Sequence, residues 1–381
     1  MNRVIIYAHY LPPEPSACST RIASLARHLL TKGYRPTLLT SRPHHQASNE
    51  FDVVRVRGRL GLLRWLWREQ PCPIMISSPP ATPASEVALL AKLLGYQLVV
   101  DIRDPYVAEA RKLGEIPPGW RLWMKERLER MLLSSTRRIS FVSEDLRAAM
   151  TELQGTPFPE SIIAPNGVDL KVFPANANKR VTTRLKLGLG DSPVFIYQGI
   201  LGGKELDQTF LALFPVLDRH DARVIVAAVS NEYSINLLSQ FRNMVAKAGM
   251  KNRFYWLENL NSEQLAEAMC AADFGLNPLP KHRAYCLPVK TFEYMACGLY
   301  NISIASESSP LHNIFQDPSL GIVTTNWEAF QIAADSAAEN TQNLRSFTEY
   351  RSDVARKYYS RQIANDRIEF LLRAATLAHF K

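Results

Sequence analysis

The feature that most constrains this chain is an alternation that runs through it twice. Short apolar runs of strand length alternate with segments of helical spacing. "RVIIYAHY" is a continuous apolar run ending in a Pro-rich loop, which predicts a buried strand. "STRIASLARHLLTKG" follows with helical periodicity and stops at Gly33. "RPTLLT", "CPIMISSPP", "QLVVDIRD" and "RRISFVSE" read as further strands, with "ASEVALLAKLLG" and "RLWMKERLERMLLSST" as helices between them. Strand–helix alternation of this kind predicts a parallel sheet wound on both faces. After a polar, turn-rich stretch, "FPANANKRVTTRLKLGLGDS", the pattern restarts. "PVFIYQGIL", "ARVIVAAVS", "RFYWLEN", "FGLNPL" and "LYNISIA" are strands, "KTFEYMACG" is a helix, and the tail from Trp327 onward is helical. The expected fold class is therefore α/β, with two doubly wound parallel-sheet domains facing across a cleft. Boundaries fall at 1–178 and 179–350, and 351–381 forms a C-terminal helix returning to the first domain.

A length of 381 residues suits two domains, because single cores stop growing well below that size. No apolar run reaches the length of a membrane span, and the N-terminus enters a strand directly without a signal-peptide core. Five cysteines, none in a C-x-x-C pair, predict reduced thiols and no zinc site. These readings place the chain in the cytoplasm. The net charge of +9 lies entirely in the first 180 residues, and the remainder is balanced. A basic half calls for an anionic partner such as lipid headgroups or a phosphate-bearing substrate. Nucleic acid is the weaker candidate and is not expected as a partner, since neither a recognition motif nor a low-complexity basic arm is present.

The basic excess is most concentrated in "RVRGRLGLLRWLWREQP", Arg55 to Pro71. On a helical wheel Arg57, Arg64 and Arg68 form a narrow stripe. Leu60, Leu63, Leu66 and Trp67 spread over the opposite side, with Arg59 interrupting them. Two readings fit: an ordinary amphipathic helix with its leucines in a core, or a helix lying in a membrane interface. Under the second reading Arg57, Arg64, Trp65, Trp67 and Arg68 meet an anionic membrane surface.

Four segments carry a resemblance. They are "YLPPEPSACSTRIASLARHLLTKGYRPTLLT", "IIAPNGVDLKVF", "IYQGILGGKELD" and "AADFGLNPLPKHRAYCLPVKTFEYMACG". In order and spacing the chain resembles GT-B glycosyltransferases, and among them the family 4 retaining enzymes of bacterial surface-polysaccharide synthesis. The last segment, similar to a "P-x-K-x-x-E-Y-M-A-x-G" donor motif, is the most specific. The resemblance implies two Rossmann-like domains, the first for the acceptor and the second for a nucleotide-sugar. It implies that Glu293, expected in the first turn of a helix, accepts the ribose hydroxyls. Pro288, Val289 and Lys290 belong to the same motif, and Lys290 near a helix start could face the same pocket or open solvent. Gly199, Gly202 and Gly203 in "GILGGK" free backbone N–H groups to approach a pyrophosphate. Lys204 would then neutralise the leaving diphosphate. The sequence contains no D-x-D motif, so the expectation is a metal-independent reaction without cofactors.

"VVDIRD" moves from buried apolar residues to three charges in four positions, and Asp101, Arg103 and Asp104 are expected to line the acceptor side, with Asp101 and Asp104 read as catalytic alongside Lys204. Arg21 could meet a phosphate of donor or acceptor, or pair with Glu14. Two departures stand out. The family's paired glycines in the first loop are replaced by Ser16–Ser19, and Tyr285 stands where an E-x7-E pattern has its first Glu. The resulting expectation is a retaining hexosyl transfer from a UDP- or GDP-sugar to a glycan acceptor, lipid-linked, at the inner face of the cytoplasmic membrane. Its product class would be lipopolysaccharide or capsule. A non-catalytic scaffold of the same fold and a nucleotide-sugar epimerase are the rival readings.

Overall fold

The computed structural model describes residues 2–14, 16–42, 50–112, 114–202, 204–230, 235–280 and 285–379. The chain divides into two compact units. Unit 1 is Met1–Asn166 with Arg361–Lys381, and unit 2 is Gly167–Ser360.

The first half runs β1 (Asn2–Tyr7), α1 (Ala17–Thr31), β2 (Tyr34–Thr40), β3 (Asp52–Arg55), α2 (Gly58–Arg68), β4 (Pro73–Ser78) and α3 (Ala81–Leu93). It continues through β5 (Gln97–Ile102), α4 (Tyr106–Lys112), α5 (Trp120–Ser134), β6 (Ile139–Phe141), α6 (Glu144–Gln154) and β7 (Ile162–Ile163). Unit 2 runs α7 (Ala177–Leu187), β8 (Val194–Gly199), α8 (Lys204–Arg219), β9 (Arg223–Ala228), α9 (Ile235–Lys247), β10 (Phe254–Glu258) and α10 (Ser262–Ala271). Then come β11 (Phe274–Pro278), α11 (Val289–Ala296), β12 (Tyr300–Ile304), α12 (Leu311–Ile314) and β13 (Gly321–Thr324). The helices α13 (Trp327–Glu339), α14 (Thr341–Arg345), α15 (Thr348–Tyr358) and α16 (Arg361–His379) complete the chain.

Each unit holds one sheet with every strand pair parallel. The strand orders are β3-β2-β1-β4-β5-β6-β7 and β10-β9-β8-β11-β12-β13. In both, the order reverses beside the first strand, and the carboxyl ends of strands at such a reversal are where ligands bind. The apolar runs that predicted strands are buried on both faces: Val4 to Tyr7 and Ile74 to Ile76 are almost wholly inaccessible. The α16 helix belongs to unit 1 because its stripe Ala364, Ile368, Leu371, Leu372 and Ala375 joins the core of Val4, Ile6, Met75 and Val99.

The polar stretch read as a linker holds the helix α7. Asn176 caps it, accepting from the Lys179 N–H at 2.9 Å, and Gly188 ends it in the left-handed region. Charge holds this helix in place: Arg184 is buried and donates to the carbonyls of Ala271, Gly190 and Ser192. A guanidinium anchor leaves no trace in an apolar pattern, so the periodicity missed the helix.

The helical wheel of α2 also needs correcting. Leu62, Leu66 and part of Trp65 pack into the unit 1 core, whereas Leu60 is 82% and Trp67 75% exposed. Trp65 thus turns part of its ring to the core, where the membrane reading had it facing outward. Leu60, Leu63 and Trp67 form an apolar strip on the outside, among exposed Arg57, Arg64 and Arg68.

The deepest polar feature of unit 1 joins α1 to β5. Arg21 Nε and Nη2 donate to Asp101 Oδ2 and Oδ1 at 3.0 and 2.9 Å. The same guanidinium donates to the carbonyls of Pro165 at 2.9 Å and Ala164 at 2.8 Å. Asp101 is wholly buried and also accepts from Ser140 at 2.8 Å and Ser77 at 3.4 Å. Burial raises its pKa, but the Arg21 charge and these hydrogen bonds outweigh burial and hold it below the usual carboxylate range. Removing one partner of a buried pair strands the other charge. Asp101→Asn is expected to cost about 3 kcal/mol, lowering Tm by roughly 6–12 °C in a thermal melt. An unchanged Tm with lost turnover would instead return Asp101 to the chemistry.

Candidate active site

In unit 2 the strand order reverses between β8 and β11. The strand β8 ends there at Gln198–Gly199, and α11 begins just beyond β11 with Pro288 as its N-cap residue and Val289 as its first helical residue. Lys290 and Glu293 lie one turn apart on α11, so both side chains project from the same face. Glu293 falls in the second turn rather than the first, because the helix opens four residues before it. It is buried and accepts a hydrogen bond from Gln198 Nε2. Lys290 Nζ donates to the Gln198 carbonyl at 2.9 Å and sits 4.3 Å from the centre of the Tyr197 ring. Burial pushes its pKa down to about 8, against the opposing pull of Cys286 and Glu293. An ammonium so placed is held close to the point where it discharges, which makes it responsive to an incoming anion.

The backbone around these groups is fixed by shape. Gly199 has φ +133° and Gly202 φ +150°, conformations that strain any residue with a side chain. Behind the site, a Cβ at Gly275 would lie 2.3 Å from the Tyr294 ring, so only glycine lets α11 approach β11 this closely. Tyr294 Oη receives the Gln198 N–H at 3.2 Å, and Thr291 Oγ1 accepts from Asn277 at 3.2 Å. The sequence-predicted residues Gly199, Pro288, Val289, Lys290 and Glu293 therefore come together at one place. Gly202 lies in the loop after β8 and Lys204 opens α8, while Gly203 is outside the described residues. Gln198 and Tyr197, which hold the carboxylate and the ammonium, were missed. They lie in a strand whose apolar run drew attention to burial alone.

In unit 1 the expected acceptor cluster separates into different roles. Arg21 is taken by Asp101, and Glu14 pairs with Arg42, so Arg21 meets neither Glu14 nor a phosphate. Asp101, read as catalytic, is enclosed on all sides and acts as a structural acceptor. Arg103 Nε donates to Ser77 Oγ and Nη2 to the Pro79 carbonyl, both at 3.0 Å, lacing the end of β5 to the end of β4. Asp104 remains half-buried in the loop after β5. In the Ser16–Ser19 loop that replaces the paired glycines, Ser16 caps α1, its Oγ accepting from the Ser19 N–H at 3.0 Å.

Comparison with known proteins agrees with this architecture. Residues 16–167 match the glycosyl transferase 4-like domain family, and residues 219–379 match a family described as glycosyl transferase-like. Together the two glycosyl transferase matches span most of the chain, which is a glycosyltransferase with the GT-B fold. A sucrose-phosphate synthase from Thermosynechococcus elongatus has a similar structure, with a TM-score of 0.77 over 99% of this chain and 100% of that one, at 14% identity. Anabaena Alr3699/HepE in complex with UDP gives 0.75 over 98% and 100%, also at 14% identity. WaaG, a glycosyltransferase involved in lipopolysaccharide biosynthesis, gives 0.68 over 97% and 99%, at 14% identity. No curated protein matches the sequence.

The depressed pKa of Lys290 makes a signed prediction for this glycosyltransferase. A bound diphosphate stabilises the charged form, so nucleotide affinity is full below pH 8. Above that it falls by up to about tenfold per pH unit as the free ammonium discharges. Lys290→Arg flattens the profile. Calorimetric titration of UDP and GDP between pH 7 and 9.5 checks it, and a flat wild-type profile would remove Lys290 from the phosphate site.

Proposed function

We propose that this glycosyltransferase moves a hexosyl group, with retention, from a UDP- or GDP-sugar to a lipid-linked glycan in surface-polysaccharide synthesis. The observation that carries the donor half of this reading is the pair Lys290–Glu293. One turn of one helix presents a cation and a carboxylate at the carboxyl end of β8, beside a glycine in a backbone conformation that other residues adopt only under strain. The carboxylate suits the two ribose hydroxyls and the ammonium suits the diphosphate. With Lys290, the amides of the glycine loop and the start of α8 as counter-charge, the departure of the diphosphate needs no metal. Lys204 at the α8 start is assigned to the same task. In the transfer, the bond between the anomeric carbon and the diphosphate oxygen breaks. The acceptor hydroxyl forms the new bond on the same face and gives its proton to a leaving phosphate oxygen. No protein nucleophile is required. Arg103 and Asp104, at the end of β5, are assigned to the acceptor side.

The lipid-linked acceptor is supported by the surface of unit 1. The helix α3 packs against both α2 and α5. On α5, Trp120 and Trp123 are 67% and 60% exposed, with Arg121 and Arg127 over their rings. On α2, Leu60, Leu63 and Trp67 lie outside among arginines. Exposed tryptophans among cations suit a headgroup layer, and each cation close to an anionic surface contributes about 1 kcal/mol. Among the described residues no helix is long and apolar enough to cross a membrane, so the reading is of peripheral attachment.

Titration of UDP, GDP, ADP and CMP into the wild type and Glu293→Ala tests the donor assignment. One nucleotide is expected to bind, and the variant to lose at least tenfold in affinity. Binding of none would move the non-catalytic reading to the front. For the membrane, flotation with anionic liposomes is expected to recover the wild type and to lose most of Arg64→Glu/Trp67→Ala/Trp123→Ala. Equal recovery of both proteins would sink peripheral docking.

A further inference from the structure

At the end of the unit 2 sheet where the strands begin, opposite the donor end, lies a cavity of about 150 Å³. Its wall includes Arg180 of α7, Asp273 before β11, Cys297 and Gly298 after α11, and Arg345 and Arg351. Asp273 is buried and saturated. It accepts from Arg180 Nη2 at 2.6 Å, Arg345 Nε at 2.8 Å and Nη2 at 3.1 Å, and the Val194 N–H at 2.9 Å. Arg184 Nη1 adds a third guanidinium at 3.5 Å. One carboxylate thus faces three guanidinium charges.

A fourth, Arg351, makes no ion pair among the described residues, and Asp273 and Asp317 act on it only at longer range. Arg351 is 1% exposed. Its Nε donates to the Ser319 carbonyl at 2.6 Å and Nη1 to the Gly298 carbonyl at 3.0 Å, and the group lies over the Tyr300 ring. Its Nη2 has no hydrogen-bond partner. Burial lowers its pKa to about 10, so it is still a cation at neutral pH. A buried guanidinium with an unfilled donor is costly unless an acceptor completes it. The other carboxylate on the wall, Glu349, is exposed at the rim.

We propose that this cavity is a binding site for a phosphate group, held by Arg351 with Arg345 and Arg180. A tetrahedral oxyanion supplies both the negative charge and the several acceptors that forked guanidinium donors require. A second cavity shares Ala175 and Glu349 with the first and is lined by Ser352, Asp353 and Arg356. It gives room for the hydroxylated remainder of a phosphomonoester, so free phosphate and a phosphomonoester are both sources of the same group.

The donor site could also take phosphate, so the test is run in a Lys290→Met background as well as in the wild type. Thermal melts are recorded in chloride-matched buffer with inorganic phosphate or ribose 5-phosphate. At a hundredfold excess over Kd the ligand is expected to raise Tm by on the order of 5 °C. The rise should persist in Lys290→Met and disappear in Arg351→Lys. It should also disappear in Ala177→Trp, which crowds the mouth from the exposed start of α7 and spares the buried arginines. Tenfold tighter binding of ribose 5-phosphate identifies a phosphomonoester site, and equal or weaker binding identifies free phosphate. A rise lost in Lys290→Met but kept in Arg351→Lys and Ala177→Trp would overturn the proposal, as would no rise with either ligand. Both outcomes are separate from nucleotide binding, which Glu293→Ala reads.

Discussion

Unit 1 depends on one buried ion pair. A guanidinium from the first helix meets a carboxylate from the central sheet and, with its remaining donors, the carbonyls of Ala164 and Pro165 just before the chain passes into unit 2. Such a pair is weak evidence of net stabilisation, because both charges have been taken from water. Its value is specificity of arrangement. Bidentate geometry allows α1, β5 and the segment at Ala164–Pro165 only one mutual placement. Ser77 then connects Asp101 to Arg103, so the same network sets the loops at the strand ends where an acceptor would be met.

Unit 2 follows a similar logic with different chemistry. Its candidate donor residues ride on α11, an eight-residue helix too short to be stable alone. The helix is held by its surroundings: Tyr294 lies against the bare Cα of Gly275, Thr291 is tied to Asn277, and Gly298 turns the chain against Thr348. One end of this helix carries Lys290 and Glu293, and the other borders the arginine-lined cavity. Around Asp273, charge is again placed by packing, with three guanidinium groups gathered on one buried carboxylate.

Much of this was legible from residue order. Continuous apolar runs fixed most strands, because a strand covered on both faces must be apolar throughout. The short strands β3, β7 and β13 escaped, since two to four residues do not make a period. The helix α7 escaped because its anchor is a charge. In the site, Glu293, Lys290 and Gly199 stood out by motif. Gln198 and Tyr197 did not, because their role consists of touching residues about ninety positions away.

The sequence alone determined the two α/β units, the helical character of the tail, the glycines at forced backbone positions and the basic character of the first half. These are local or additive properties, carried by each residue's own chemistry. Only the tertiary structure decided which charges do chemistry and which hold the fold. Asp101 and Arg21 looked functional as residue types and proved to be each other's partners, eighty positions apart. It also decided which side of α2 faces outward, leaving Trp67 exposed and Trp65 half-covered, and it left Arg351 buried with a donor unfilled. A charge acquires its meaning from the dielectric and the partners around it, and long-range packing supplies both.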